Sequence, residues 1–188
     1  MKNKAVWQIL FEFLSIVFAV LLALGLNSAK QNLDFKNEAQ FLTQKIIEEC
    51  KRNKLELDSV YHQNNEYKIY LDSLQSLDKI EGNFTISIAS ELLTKSAWDF
   101  TKVSRSFSYL DENFLNDVAE LYEKQDYYML ISNQMFQNMG EMLISDPKPE
   151  KTVNISAYYL LNLNVTAEDL QQTYSQFLDK YQSSESID

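Results

Sequence analysis

The sequence predicts an all-α protein: one amino-terminal transmembrane helix followed by a helical bundle with coiled-coil-like patterning. Three observations predict it. Residues 6–26 form a nearly unbroken apolar run behind the short basic lead Met1-Lys-Asn-Lys4. The chain holds only three Gly and two Pro in 188 residues, and turns between strands consume those residue types. Beyond residue 30 the apolar side chains recur at threes and fours, the helical period, instead of alternating. The expected organisation is a transmembrane anchor over 1–27, a helical soluble domain over 28–182 and a flexible tail over 183–188.

An apolar stretch of about 20 residues matches the hydrocarbon thickness of a bilayer. Trp7 stands at its start, where an amphipathic indole prefers the headgroup level. The polar sequence Asn27-Ser28-Ala29-Lys30-Gln31-Asn32 ends it. A helix apolar on every side belongs in lipid or in a large core, and a chain this short has no such core to offer. The alternative is a cleaved signal peptide, with Ala23-Leu24-Gly25 as a small-x-small site. Against it, the run exceeds the usual apolar region of about 7–15 residues, and Glu12 interrupts it. The expectation is a retained single-pass anchor contacting the bilayer through residues 6–26. Lys2 and Lys4 before the span, against Lys30 and Lys36 beyond it, bias the amino terminus slightly toward the cytoplasm. That places the soluble domain outside the cytoplasm, at the cell (inner) membrane.

Glu12 is the costly residue of the span. A carboxylate deep in lipid costs about 2.5–3.5 kcal/mol on insertion scales. Two readings stand: the side chain lies near enough to the Trp7 end to reach the headgroups, or it makes a contact together with Ser15. The contact would be with a second copy of the chain or with another membrane protein.

Net charge is −10, concentrated after residue 30. An acidic domain of this kind does not bind nucleic acid, nor anionic lipid headgroups. Aromatic residues make up 13% of the chain, enough apolar material for a core and against general disorder. Cys50 stands alone, so no intramolecular disulfide or zinc knuckle is possible, and a small buried residue is its expected role.

From residue 28 to 79 no Gly or Pro occurs, which predicts a long helix beginning as a stalk near the membrane. Ala39, Leu42, Ile46, Cys50, Asn53, Leu57, Val60, Tyr67, Leu71 and Leu74 gather on one stripe, expected to pack within the chain. Asn53 and Asn64 interrupt it as polar residues able to fix a coiled-coil register. Glu81-Gly82-Asn83 suits a helix end. Residues 87–95 are expected to form a short helix with Ile88, Leu92 and Leu93 inward. Residues 96–103 continue or restart it around Trp98, and 104–108 read as a loop.

Ser108-Tyr-Leu-Asp111 resembles a capping box opening a long helix. Its inner face is Phe114, Leu115, Val118, Leu121, Tyr122, Tyr128, Met129, Ser132, Met135, Phe136, Met139 and Leu143. Asp146-Pro-Lys-Pro149 stops it, because proline cannot continue a helix. Residues 154–162 give two or three turns (~3.6 residues each). Thr166-Ala-Glu-Asp169 then starts a last helix carrying Leu170, Tyr174, Phe177, Leu178 and Tyr181.

Chemistry is scarce. His62 is the sole histidine and falls on a polar helix face, where solvation is its ordinary fate. The paired carboxylates Glu48-Glu49, Glu56 with Asp58, Asp111-Glu112 and Glu168-Asp169 read as helix-surface or cap residues. No phosphate loop, nucleophile elbow or Glu-x-x-His metal pair occurs. No catalytic, cofactor or metal residue is therefore assigned, and the protein is read as a non-enzyme. The leading function is a membrane-anchored helical interaction module, a scaffold or sensory accessory. The alternative is a small-ligand or peptide receptor with a Tyr/Met-lined pocket inside the bundle. Trp98, Lys102, Arg105, Tyr122, Tyr128 and Met135 are the candidate ligand or partner residues.

The run Glu12-Phe-Leu-Ser-Ile-Val-Phe-Ala-Val-Leu-Leu-Ala-Leu-Gly-Leu-Asn27 resembles the opening of an uncharacterised bacterial family of small single-pass membrane proteins. In that family a glutamate begins the span and Ala-Leu-x-x-Asn ends it before a charged helix. Ser96-Ala-Trp-Asp-Phe and the following Phe114-Leu-Asn-Asp-Val-Ala-Glu-Leu-Tyr122 are similar to its second recognisable block. The chain departs from the pattern at the exit of the span, where members carry Asn-Asn-Trp and this sequence has Asn27-Ser28-Ala29. The resemblance implies a retained anchor, a helical soluble domain and a Glu12 that is a family feature. It implies no activity.

Overall fold

The computed structural model describes residues 2–77, 79–80, 85–144 and 148–182, and among them every regular element is helical. Helix α1 runs without a break from Lys2 to Gln75. At 1.5 Å per residue it is about 110 Å long. The expected anchor, stalk and first bundle helix are thus one continuous helix. Its described side chains from Leu10 to Leu26 are all exposed, and this helix is long and apolar enough to cross a membrane. Burial begins at Ala39 and follows the predicted stripe through Leu42, Ile46, Cys50, Asn53, Leu57, Val60 and Leu71.

Three shorter helices complete the bundle: α2 (Ser96–Val103), α3 (Glu112–Ile144) and α4 (Pro149–Gln182). Helix α4 lies antiparallel to α1, as shown by Gln171 Nε2 donating to Asp58 Oδ1 and Gln75 Nε2 donating to Asn154 Oδ1, both at 2.8 Å. It is antiparallel to α3 as well, through Lys124 with Asp169 and Lys180 with Asp117. The main core gathers Ile46, Leu57, Leu121, Tyr128, Met135, Leu163, Leu170 and Tyr174, with the ring cluster Phe114, Phe177 and Tyr181 at its lower end. A smaller cluster of Leu71, Val153, Ala157 and Leu160 joins α1 to the start of α4.

Several local readings are corrected. Residues 87–95 form no helix; residues 85–95 run as an irregular strap beside α1, with Leu93 buried, Ile88 half-buried and Leu92 exposed. The β-branched start Thr85-Ile-Ser-Ile88 weakens helix formation, and side chains of α1 satisfy the strap's peptide groups instead. Asn53 and Asn64 therefore hold this strap rather than a coiled-coil register. The loop at 104–108 is a 3₁₀ turn, Arg105–Tyr109, started by Ser104 accepting from Ser106 N. The cap of α3 is Asp111, which accepts from Phe114 N at 2.9 Å. Ser108 belongs to the preceding turn, so no reciprocal box forms. Phe136, expected inside, is 41% exposed. The helix end at Gly82, the side chain of Leu143, the residues around Pro147 and the tail 183–188 lie outside what is described; α3 stops at Ile144 and α4 starts on Pro149. Proline at a first helical position costs no hydrogen bond.

The two expected segments 154–162 and 166–181 are one helix. Thr166 lies in mid-helix, its hydroxyl donating back to Asn162 O and Leu163 O, and does not cap anything. Thr166→Ala is consequently expected to change stability by no more than about 0.5 kcal/mol, with alanine's higher helix propensity favouring the variant. A true N-cap would lose about 1 kcal/mol. Urea unfolding of the two proteins checks it, and a loss of that size would split α4 in two.

Candidate functional site

Two polar clusters lie inside the bundle, both centred on α1. Glu49 is fully buried. Its carboxylate accepts from Tyr122 Oη at 2.5 Å, Ser96 Oγ at 2.8 Å and Ala97 N at 3.0 Å. Burial pushes its pKa up, but the hydrogen bonds from Tyr122, Ala97 and Ser96 outweigh that and hold it below the ordinary carboxylate value. The amide contact also places the charge at the positive end of α2. Cys50 Sγ is 3.9 Å from Tyr122 Oη, and burial pushes the thiol pKa up to about 12. Tyr122 is raised too, by burial first and then by Cys50 and Glu49 beside it.

One turn on, Asn53 Nδ2 donates to Thr94 O at 2.6 Å and to Gln125 Oε1 at 3.1 Å. Gln125 also accepts from Tyr174 Oη at 2.5 Å and donates through Nε2 to Thr94 O. This second cluster ties α1, the strap, α3 and α4 together. Three donors take most of the acceptor positions of the Glu49 carboxylate, and burial favours the protonated thiol at Cys50. The arrangement positions backbone at Thr94 and at the start of α2.

The sequence-derived candidates do not meet in one place. Trp98, Tyr122, Tyr128 and Met135 are core residues, between 1% and 9% exposed. Trp98 stacks on Tyr122, with centroids 6.1 Å apart and planes 2° from parallel. Tyr128 Oη is buried without a hydrogen-bond partner, and burial lifts its pKa to about 12. Lys102 and Arg105 are exposed. Lys102 Nζ is 2.8 Å from Asp99 Oδ1 and 5.5 Å above the Trp98 ring, so its charge already has an anion and a ring to face. Tyr127 and Tyr158 are exposed while Tyr122 and Tyr128 are buried, so the tyrosines do not line one groove.

In the span, Ser15 Oγ donates to Phe11 O at 2.8 Å. Glu12 lies one turn from Ser15 on the same side of α1. His62 is exposed, as expected of a solvated residue. Among the described residues no three His, Cys, Asp or Glu side chains converge on a metal position.

An open groove of about 410 Å³ runs between α1 and α2, lined by Phe41, Lys45, Glu49, Arg52, Ala97 and Phe100. Sequence reasoning missed the residues that matter most inside. The spacing of Glu48-Glu49 predicts a helix-surface or cap pair, but Glu49 falls on the edge of the buried stripe, four positions before Asn53. Gln125 gave no signal at all. The eleven-residue interval between Asn53 and Asn64, about three turns on one face, was the visible hint. Comparison of the chain with protein-family models, with curated proteins and with solved structures gave no match to any of them.

Proposed function

We propose that this protein is a membrane-anchored interaction module, a scaffold or sensory accessory whose helical bundle stands at the outer face of the inner membrane. One observation carries the reading: α1 continues in a single helix from an apolar segment that packs on nothing into the buried stripe of the bundle. A cleaved signal has no reason to be continuous with the main structural rod of the domain. The 3₁₀ turn adds support by docking low on α1, with Tyr109 Oη donating to Asn32 Oδ1 and Ser106 Oγ donating to Glu38 Oε2. Asn32 lies about 9 Å along the helix from Leu26, so the bundle begins close to the headgroup layer. Tethering at that distance raises the effective concentration of contacts too weak to form in solution.

In this reading the role is non-enzymatic, with Glu49 and Cys50 serving the packing of the bundle. Glu12 and Ser15 are the residues proposed to meet a second copy or another membrane protein within the bilayer.

A reporter active only outside the cytoplasm, fused after Asp188, tests the placement. Active product that stays in the membrane pellet after carbonate washing is expected. Soluble active product lacking the first ~25 residues, the size of a signal peptide, would remove the anchor. Inactive membrane-bound product would reverse the orientation.

A further inference from the structure

The strap, residues 85–95, has no regular secondary structure of its own, yet α1 binds its main chain as a neighbouring strand would. Asn64 donates through Nδ2 to Ala89 O at 3.0 Å and accepts from Ala89 N at 2.8 Å. Asn53 does the same to Thr94, with Nδ2 to O at 2.6 Å and N to Oδ1 at 3.1 Å. Each side-chain amide thus takes both peptide groups of one residue, and Asn53 Oδ1 also accepts from the Thr94 hydroxyl at 3.3 Å. That is the chemistry by which sheet edges capture extended peptides. The two asparagines stand about 16 Å apart along the helix, and five residues of extended chain reach about as far.

Helix α3 supplies the other wall. Gln125 Nε2 donates to Thr94 O at 3.2 Å, and the hydroxyls of Ser132 and Ser90 are 2.8 Å apart. Because the strap and α2 lie between them, α1 and α3 pack chiefly on α4 rather than on each other. Asn53, Asn64, Gln125 and Ser132 are each 1% exposed. Four buried polar side chains in one trench require an occupant that supplies hydrogen-bonding groups. The strap itself inserts little: Leu93 is its one fully buried apolar side chain, with Ile86 and Ile88 half-buried.

We infer that the α1–α3 trench is a binding site for an extended peptide, occupied in the resting protein by residues 85–95 of the same chain. The partner is a polypeptide segment in extended conformation, with a small residue over Asn64 and an apolar residue four positions later. A hydroxyl residue is favoured at the positions of Ser90 and Thr94, which meet Ser132 and Asn53, while the exposed positions 91 and 92 are free to vary. The inference rests on the interaction-module reading for the existence of a partner, and its test does not depend on the membrane result.

The test uses the full chain in detergent micelles and a fluorescent peptide of the sequence Thr-Ile-Ser-Ile-Ala-Ser-Glu-Leu-Leu-Thr-Lys. The double variant Ser90→Cys/Ser132→Cys, whose parent hydroxyls touch, locks the strap when oxidised and frees it when reduced. Binding by fluorescence anisotropy is expected for the reduced form and lost on oxidation. A second variant, Leu93→Asp, removes the strap's apolar anchor. It is expected to bind the peptide at least about tenfold more tightly than the parent, since it no longer competes with an intramolecular segment at about millimolar effective concentration. Adding Asn64→Leu to it should abolish binding. Equal binding by the oxidised and reduced forms would overturn the site. So would absence of binding by both the reduced form and a Leu93→Asp variant of unchanged helical content. A chain found soluble and cleaved would sink the anchor and leave either result standing.

Discussion

Glu49→Gln is expected to destabilise the bundle by about 2–4 kcal/mol and to flatten its stability profile in acid. The carboxylate has two acceptor oxygens, and both are in use: one takes the Tyr122 hydroxyl, the other takes Ser96 Oγ and Ala97 N. A carboxamide offers one acceptor and turns an N–H group toward the remaining donors. Each buried donor left unmatched costs about 1–3 kcal/mol. The hydrogen bonds hold the folded pKa below the ordinary carboxylate value, so the folded state favours the charged form. The contribution to stability is therefore complete above that value and is lost as pH falls through the lower folded pKa. In urea titrations from neutral pH downward, the parent should weaken in that acid window and the variant should weaken less. A variant with the parent's acid limb would show that Glu49 is not the group responsible. A shift in midpoint with unchanged slope is the expected form of the neutral-pH result.

Trp98→Ala is expected to cost about 3–5 kcal/mol, and Phe100→Ala, two residues along the same helix, no more than about 0.5 kcal/mol. Trp98 is 9% exposed, stacked on Tyr122 and within 6.3 Å of the Phe107 ring, so its loss opens a cavity between α2, α3 and the 3₁₀ turn. Phe100 is 60% exposed and rims the open α1–α2 groove. Paired thermal melts decide the matter. Equal losses would mean that α2 packs with a different face toward the bundle. A small loss at Trp98 would detach the aromatic stack from the core altogether.

The long helices were legible because their signal is local. From Ala39 to Leu71 the apolar residues of α1 repeat at the helical period, and seven of the eight named in the predicted stripe from Leu42 to Leu71 are buried as expected, Tyr67 being half-buried. The apolar run before them announces itself by length and composition, with no folding partner needed. Even where the reading failed locally, the failure has a local cause. Thr166-x-x-Asp169 carries the residues of a cap, but no Gly or Pro between residues 150 and 182 breaks the helix there, so backbone hydrogen bonding runs straight through.

What the sequence determined by itself, then, is the helical class, the apolar segment fit for a membrane, and the inward faces of α1, α3 and α4. Tertiary structure alone decided the fate of residues 85–95 and of Glu49, Asn53, Asn64 and Gln125. Their partners lie between 25 and 73 positions away in the chain. Periodicity records which side of a helix avoids water, because that preference acts residue by residue. A buried hydrogen bond depends on which distant donor arrives opposite which acceptor, and no spacing within either segment encodes that meeting.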